Sequence, residues 1–240
     1  RREFPQVAII AVGTSFLQIF DADDPDVPMW MEFPTPGGTR NVMYGPGNPR
    51  CVYMLNGILC TGSQAANYWP VLIDFIRDDI LGLRSATGHN HYNGRQGNIS
   101  LRNSATSDNG IWWPDTITGG ATQNVRVAKR WWFDGTIVDK FVTSVVMDVR
   151  PEAPIDKTTG MQIPTIYLGT RSGVSIIHSN VGDTGTSYNS SVYDITSNNA
   201  AYSAVGDISI TEDGFLWFLC DSYQSFATYR DSCLIDLKRL

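Results

Sequence analysis

A unit of strand, tight turn and strand recurs along this chain, and it constrains the fold more than any other feature. Its clearest copy is Thr165–Ile177, in which apolar residues alternate on both sides of a turn bounded by Gly169 and Gly173. A similar unit spans Val7–Phe20. Apolar strands that fit the second strand of such a unit begin near residues 7, 57, 110, 164 and 214, at intervals of 50 to 54 residues. A period of this length indicates a repeat architecture.

Each interval contains signals for about four short strands and almost none for helix, and Asp/Asn-Gly turns precede aromatic strands at Asp108 and Asp213. The sequence therefore predicts an all-β fold, a β-propeller of about five four-stranded blades or part of a larger ring. We expect one domain over residues 1–240, with units near 1–40, 41–90, 91–140, 141–200 and 201–240.

The register of the repeat lacks strands at both ends. No innermost strand precedes Val7, and the last unit, Asp207–Leu240, has room for about three strands. Either the two chain ends share one blade, or neighbouring chain completes the sheet. Because unpaired strand edges are normally avoided, we favour a fragment or a subunit that is completed by other chain.

The segment Leu168-Gly169-Thr170, followed by Gly173-Val174, resembles the Leu-Gly-Thr-x-x-Gly-Val blade motif of β-propeller repeats. Such repeats occur in bacterial sensor ectodomains and in structural or tail proteins of bacteriophages. The copy in Ala11–Phe16 lacks the second glycine, whereas Asp207–Trp217 resembles the inner hairpin of the same repeats. The resemblance implies an architecture, together with an extracellular or virion location, and implies little about activity.

Composition excludes two classes of partner. The formal net charge is −6 and no run of Lys or Arg offers a track for phosphates, so a general nucleic-acid binder is not expected. No stretch approaches about 18 consecutive apolar residues, so membrane insertion through a helix is not expected either.

Four cysteines are too few to build a disulfide scaffold in a chain of 240 residues. If Asn56-Gly57 forms a two-residue hairpin turn, Cys60 pairs with Tyr53 and Cys51 with Gly62, so the two cysteines lie diagonally. We therefore favour buried free thiols over a disulfide.

The acidic segment that contains Asp21, Asp23, Asp24 and Asp26 has two interpretations. Clustered carboxylates suit calcium, but a calcium loop usually needs a glycine for its sharp turn, and here Pro25 stands in the loop. We favour an acidic surface turn without a cofactor and keep calcium as the alternative.

Loops rich in Gly, Asn, Ser and Thr offer the candidate contact residues, since recognition in rigid β scaffolds usually resides in loops. Tyr68 and Trp69 are an aromatic pair in one such loop, where burial is less assured than in a strand. His89, His91 and Tyr92 lie in another, where the two imidazoles could share a metal but a third ligand is not evident. These five residues are the predicted ligand or partner contacts, with solvated loop residues as the alternative interpretation.

The segment Thr106–Trp113 resembles the Asp box of sialidase-type propellers, which in that family is a structural turn. A sialidase-like site also needs an arginine cluster and a Tyr/Glu nucleophile pair. Arginines occur at positions 126, 130, 150 and 171, but no spacing binds them together. A carbohydrate-active hydrolase that uses the central funnel of the propeller is therefore the alternative function.

The leading prediction is a non-catalytic recognition or assembly module, a virion structural or tail protein or a cell-surface propeller. It presents loops to other protein subunits or to surface glycans and belongs to a larger chain or assembly. No catalytic residue is predicted.

Overall fold

The structure is a computed structural model that describes residues 5–13, 16–34, 49–63, 70–76, 79–83, 94–97, 130–133, 137–157, 159–181, 187–195, 204–221 and 230–236. Within these ranges the regular secondary structure consists of sixteen β-strands. The predicted all-β class is therefore confirmed for the described part of the chain.

The described strands form four sheets, all mainly antiparallel. The strands are β1 Ala8–Gly13, β2 Phe16–Asp21, β3 Met29–Pro34, β4 Pro49–Leu55, β5 Ile58–Ser63, β6 Val71–Asp74, β7 Asp79–Gly82, β8 Gly94–Gly97, β9 Arg130–Phe133, β10 Val142–Asp148, β11 Thr165–Thr170, β12 Gly173–Val181, β13 Ser187–Ile195, β14 Val205–Ile210, β15 Phe215–Asp221 and β16 Arg230–Asp236. The first sheet has the order β1-β2-β3, the second β4-β5-β6-β7-β8, the third β10-β11-β12-β13-β9 and the fourth β14-β15-β16.

The strand count differs from the four strands per unit expected from the repeat. The described sheets have three or five strands, and none of them closes on itself. The fifth strand of the third sheet, β9, pairs in parallel with β13, from Ser187 opposite Arg130 to Ser190 opposite Phe133. Several strands predicted for the unit at 91–140 fall on residues 98–129, which lie outside the described ranges.

Two turns form as the sequence predicts. Asn56 and Gly57 have φ values of 48° and 76°, which is the left-handed pair that a type I′ hairpin turn requires. Leu55 consequently pairs with Ile58, and the predicted pairs of Cys60 with Tyr53 and of Cys51 with Gly62 are confirmed. Likewise, Thr170 pairs with Gly173, so β11 and β12 are the hairpin expected at Thr165–Ile177.

Consecutive sheets pack face to face, and an apolar cluster fills each of the three joints between them. Representative buried pairs across the joints are Ile19 and Leu59 (first and second sheets), Ile58 and Leu168 (second and third), and Tyr167 and Leu216 (third and fourth). The first strands of neighbouring sheets contact each other in the order β1, β4, β10, β14. The strand that begins after Val7 thus takes the first position in its sheet and not the second position expected from the repeat.

Both faces of the second and third sheets are covered. Along β5, Leu59 packs toward the first sheet, whereas Ile58 and Cys60 pack toward the third. Along β11, Tyr167 packs toward the fourth sheet, whereas Leu168 packs toward the second. Because successive side chains of a strand point to opposite faces, a sheet covered on both sides requires the continuous apolar runs that these strands have.

Candidate functional site

The predicted contact residues Tyr68, Trp69, His89, His91 and Tyr92 lie outside the described residues. Their role in contacts with a ligand or a partner therefore stays a prediction.

The acidic loop between β2 and β3 uses its carboxylates to bind backbone groups. Asp23 Oδ2 accepts hydrogen bonds from the backbone N–H groups of Gln6 and Val7, at 2.6 and 3.1 Å. Asp21 Oδ1 accepts from Asp23 N at 3.1 Å, and Asp24 Oδ1 from Asp26 N at 3.0 Å. This geometry is that of a self-capped turn that ties the start of β1 to the loop. Among the described residues, no group of three or more His, Cys, Asp or Glu is arranged to hold a metal ion.

The outer face of the first sheet is apolar and open to solvent. Ala8, Ile10 and Val12 pack toward the second sheet, so Ile9 points the other way and is 52% exposed. Phe20 is paired with Ile9 on one side and with Met29, which is 49% exposed, on the other. We call this surface, formed by Ile9, Phe20 and Met29, the free front face.

The outer face of the fourth sheet has the same character. Leu216 and Phe218 on β15 pack toward the third sheet, so Trp217 and Leu219 point away from it. Trp217 is 41% exposed and Leu219 is 38% exposed. We call this surface, formed by Trp217 and Leu219, the free rear face. Exposed large apolar side chains that share one face of a sheet are more informative than scattered exposed ones, because such patches mark interaction sites.

A polar row lies at one end of the third sheet. Asp148 on β10 pairs with Thr165 on β11, and Thr165 Oγ1 lies 3.3 Å from Nδ1 of His178 on β12. Burial and the nearby Arg150 lower the pKa of His178 below 6.5, and Glu152 opposes them. Counting back from the Thr170–Gly173 turn pair places His178 opposite Thr165. The position of the turn in the sequence therefore predicts that these two residues are neighbours, whereas the alternation of apolar residues does not.

Tyr167 lies near this row and is fully buried. Its hydroxyl group has no hydrogen-bond partner. Burial raises its pKa to about 12, while Arg150 lowers it and Asp148 and Glu152 raise it. A neutral phenol whose hydroxyl group is hydrogen-bonded to no base is not an activated nucleophile.

Arg150 and Arg171 lie at opposite ends of β10. Arg150 Nε forms an ion pair of 2.9 Å with Glu152 Oε1 just beyond the end of β10. Arg171 lies at the opposite end, where Thr170 pairs with Val142, and its guanidinium carbon is 4.5 Å from the centre of the Phe141 ring. The length of β10 places the backbones at its two ends roughly 20 Å apart, since a strand rises about 3.3 Å per residue.

A buried carboxylate fixes the β11–β12 turn. Asp139 accepts a hydrogen bond from Phe141 N at 3.0 Å and another from Ser172 Oγ at 2.8 Å. Ser175 Oγ accepts one from Val138 N at 2.9 Å. These bonds attach the segment before β10 to the hairpin, which gives Asp139 a structural role.

Cys51 and Cys60 are free thiols, as predicted, but only Cys60 is buried and Cys51 is half-buried. Both lie on the face of the second sheet that packs against the third. Burial raises the pKa of Cys51 to about 12 and the pKa of Cys60 well above its usual range. Because the thiolate is the reactive species, neither group is a nucleophile or a ready metal ligand.

Comparison of the chain with protein-family models, with curated proteins and with solved structures gave no significant match. Among the described residues, no helix is long and apolar enough to cross a membrane. The open apolar faces are the most distinctive surfaces in the described part of the chain, and neither was found by sequence reasoning.

Proposed function

We propose that the chain is a non-catalytic recognition or assembly module with the architecture of a β-propeller. Antiparallel sheets that follow one another along the chain, pack face to face and touch through their first strands support this arrangement. The blade-motif resemblance at Leu168–Val174 agrees with it and favours a virion structural or tail protein, or a cell-surface protein, exposed outside the cell.

The free front and rear faces carry the proposal. The second and third sheets bury apolar side chains on both faces, whereas the first and fourth sheets each leave one apolar face open. Burying apolar surface stabilises a contact by about 25 cal/mol for each Å² removed from water, so the binding of a neighbour that covers these faces is favourable. A module of this kind works by joining other protein, and its predicted loop contacts add recognition of subunits or surface glycans.

The chemistry of the described residues favours binding over hydrolysis. Glycosidases need two carboxyl groups about 5–10 Å apart around the scissile bond, and a sialidase-like site needs clustered arginines and a reactive tyrosine. In the described part of the chain, Arg150 and Arg171 lie at opposite ends of β10 and Tyr167 is buried with a raised pKa. No described feature favours the hydrolase alternative.

Oxidative footprinting of the dilute monomer tests whether the faces are open for assembly. Met29 should oxidise as fast as the exposed Met161, and the buried Met147 should be protected. Trp217 should be modified faster than Trp30, which packs in the first joint. If Met29 and Trp217 are both protected in the monomer, the chain covers its own faces and the assembly function is wrong.

Activity and glycan binding are tested separately with the same protein. A panel of fluorogenic glycosides should show no turnover above a heat-treated control. A glycan array reports on the loops, and Trp69→Ala with His91→Ala is the matched variant for any signal. Turnover that survives purification to homogeneity would establish the hydrolase instead.

A further inference from the structure

We infer that the free rear face of one chain binds the free front face of a second copy of the same chain. This inference rests on the proposed assembly function and names its partner. At each joint inside the chain, the rear face of one sheet meets the front face of the next.

The internal joints supply the pattern for the contact between copies. Three times in the described residues, a rear face meets a front face, with the first strands of both sheets side by side. Of the two faces that remain uncovered, one is a front face and the other is a rear face. Inside the chain, each covered front face packs against a rear face, and a second copy offers this same pairing to both free faces. In this contact β14 of one copy lies beside β1 of the other, as β14 lies beside β10 within the chain.

The two free faces also match in chemistry. The first joint already holds an aromatic pair, with Trp30 and Phe75 rings 5.9 Å apart and 69° between their planes. Trp217 on the free rear face offers a large rigid ring, whereas Phe20 and Met29 on the free front face offer a second ring and a flexible thioether. Aromatic edges and methionine sulfur both pack favourably on indole, and tryptophan is among the side chains enriched at the energetic centres of interfaces.

The symmetry of the contact follows from its two different halves. A rear-to-front contact is heterologous, so it either closes into a ring or continues as a filament. A ring leaves no free apolar face, because each copy uses both of its faces. A contact of like faces, front to front or rear to rear, leaves the other pair open and is not expected.

Disulfide trapping between single-cysteine additions separates these geometries. Ile9→Cys lies on the free front face and Leu219→Cys on the free rear face, where Trp217 is kept, whereas Ile155→Cys lies on an exposed loop. A mixture of the Ile9→Cys and Leu219→Cys proteins, distinguished by a size tag, should form a mixed disulfide dimer on mild oxidation. Each protein alone, the wild type with its own cysteines, and the mixtures that contain Ile155→Cys should not.

A second measurement does not depend on the added cysteines. Sedimentation of the wild type should show a concentration-dependent dimer or larger ring, and Trp217→Arg should weaken the association about 30-fold or more, as loss of a central tryptophan does. Ile155→Arg is the matched control and should leave the association unchanged.

The possible failures point to different conclusions. A wild type that stays monomeric, or disulfides that form between two Ile9→Cys chains, would overturn the rear-to-front contact. If Met29 and Trp217 of that monomer still oxidise freely, the assembly function survives with another protein as its partner. If both are protected, the assembly function fails together with the inference.

Discussion

Ser144 Oγ donates a hydrogen bond of 2.6 Å to Asp207 Oδ1, and this bond joins the first strand of the third sheet to the first strand of the fourth. The same carboxylate oxygen accepts from Ile208 N at 2.9 Å. Beside them, Thr143 Oγ1 reaches the carbonyl oxygens of Gly169 and Val205. The joint between these sheets is thus held by hydrogen bonds between the first strands as well as by apolar packing, to which Val205 and Ile208 of β14 also contribute.

Ser144→Ala should lower the free energy of unfolding by about 1 kcal/mol, because Asp207 loses a neutral donor but remains open to water. Urea unfolding monitored by tryptophan fluorescence measures this difference. Ser209→Ala, on the exposed side of β14, is the control and should change the stability by less than about 0.5 kcal/mol. Equal effects of the two substitutions would show that the bond to Asp207 contributes nothing.

The second and third sheets approach so closely at Gly62 that the site has no room for a side chain. A Cβ atom there would lie 2.6 Å from Val142 Cγ1 and would also overlap Cys51 Sγ. At Gly169, beside the fourth sheet, the nearest atoms would be Val205 Cγ1 at 3.0 Å and Ile208 Cγ2 at 3.1 Å. Gly62→Ala should therefore lower the free energy of unfolding by about 2–3 kcal/mol and Gly169→Ala by about 1 kcal/mol, as in overpacked cores. Denaturant midpoints show which variant is less stable, and a larger loss of stability in Gly169→Ala would contradict this prediction.

Asn56 contributes both a turn conformation and a contact between sheets. Its φ of 48° is left-handed, and its Nδ2 donates to the Gln162 carbonyl oxygen at 2.7 Å. Asn56→Gly keeps the conformation and loses the bond, at a cost of about 1 kcal/mol. Asn56→Ala loses the bond as well and should lower the free energy of unfolding by about 2 kcal/mol, because alanine is strained by about 1 kcal/mol or more in the left-handed conformation that asparagine tolerates. Thermal unfolding of both variants at one pH compares them, and equal losses would assign the whole effect to the hydrogen bond.

Local chemistry made several features predictable from sequence. Asn56-Gly57 demands a type I′ turn, and that turn alone fixes which residues face Cys51 and Cys60. The hairpin β11–β12 was predictable from a different local signal, because Gly173 follows the turn residues directly and takes a φ of 136°.

The remaining features depend on which surfaces neighbours cover, and sequence does not record this. The run Ala8–Val12 is apolar on both sides of the strand, as in a sheet buried on both faces, and yet Ile9 is open to solvent. In the same way, nothing in the sequence of Arg130–Phe133 distinguishes an antiparallel strand of its own unit from the parallel partner of β13 that it is.

Unlike most buried tyrosines, Tyr167 should tolerate replacement by phenylalanine. Its hydroxyl group has no hydrogen-bond partner, so Tyr167→Phe removes a buried polar group and no bond. The variant should be as stable as the wild type or up to about 1 kcal/mol more stable, whereas Tyr167→Ala should lose about 3–5 kcal/mol through the cavity that it leaves. Urea unfolding of both variants tests this, and a loss above about 1 kcal/mol in Tyr167→Phe would mean that the hydroxyl group is bonded.

His178 should make the stability depend on pH below its ordinary pKa. Burial and Arg150 lower the pKa of His178 in the folded chain below the value of 6.5, so the unfolded chain binds more protons as the pH falls. Its contribution is fully present above pH 6.5 and is lost as the pH falls from 6.5 through the lowered folded pKa.

His178→Gln removes this titration and leaves the other groups of the chain in place. The free energy of unfolding of the wild type, relative to that of the variant, should be constant above pH 6.5 and fall below it. Urea unfolding at several pH values from about 8 to about 5 measures the difference, with Ser209→Ala as a control whose curve stays parallel to that of the wild type. Parallel curves for His178→Gln as well would show that protonated His178 is as well accommodated in the folded sheet as in the unfolded chain.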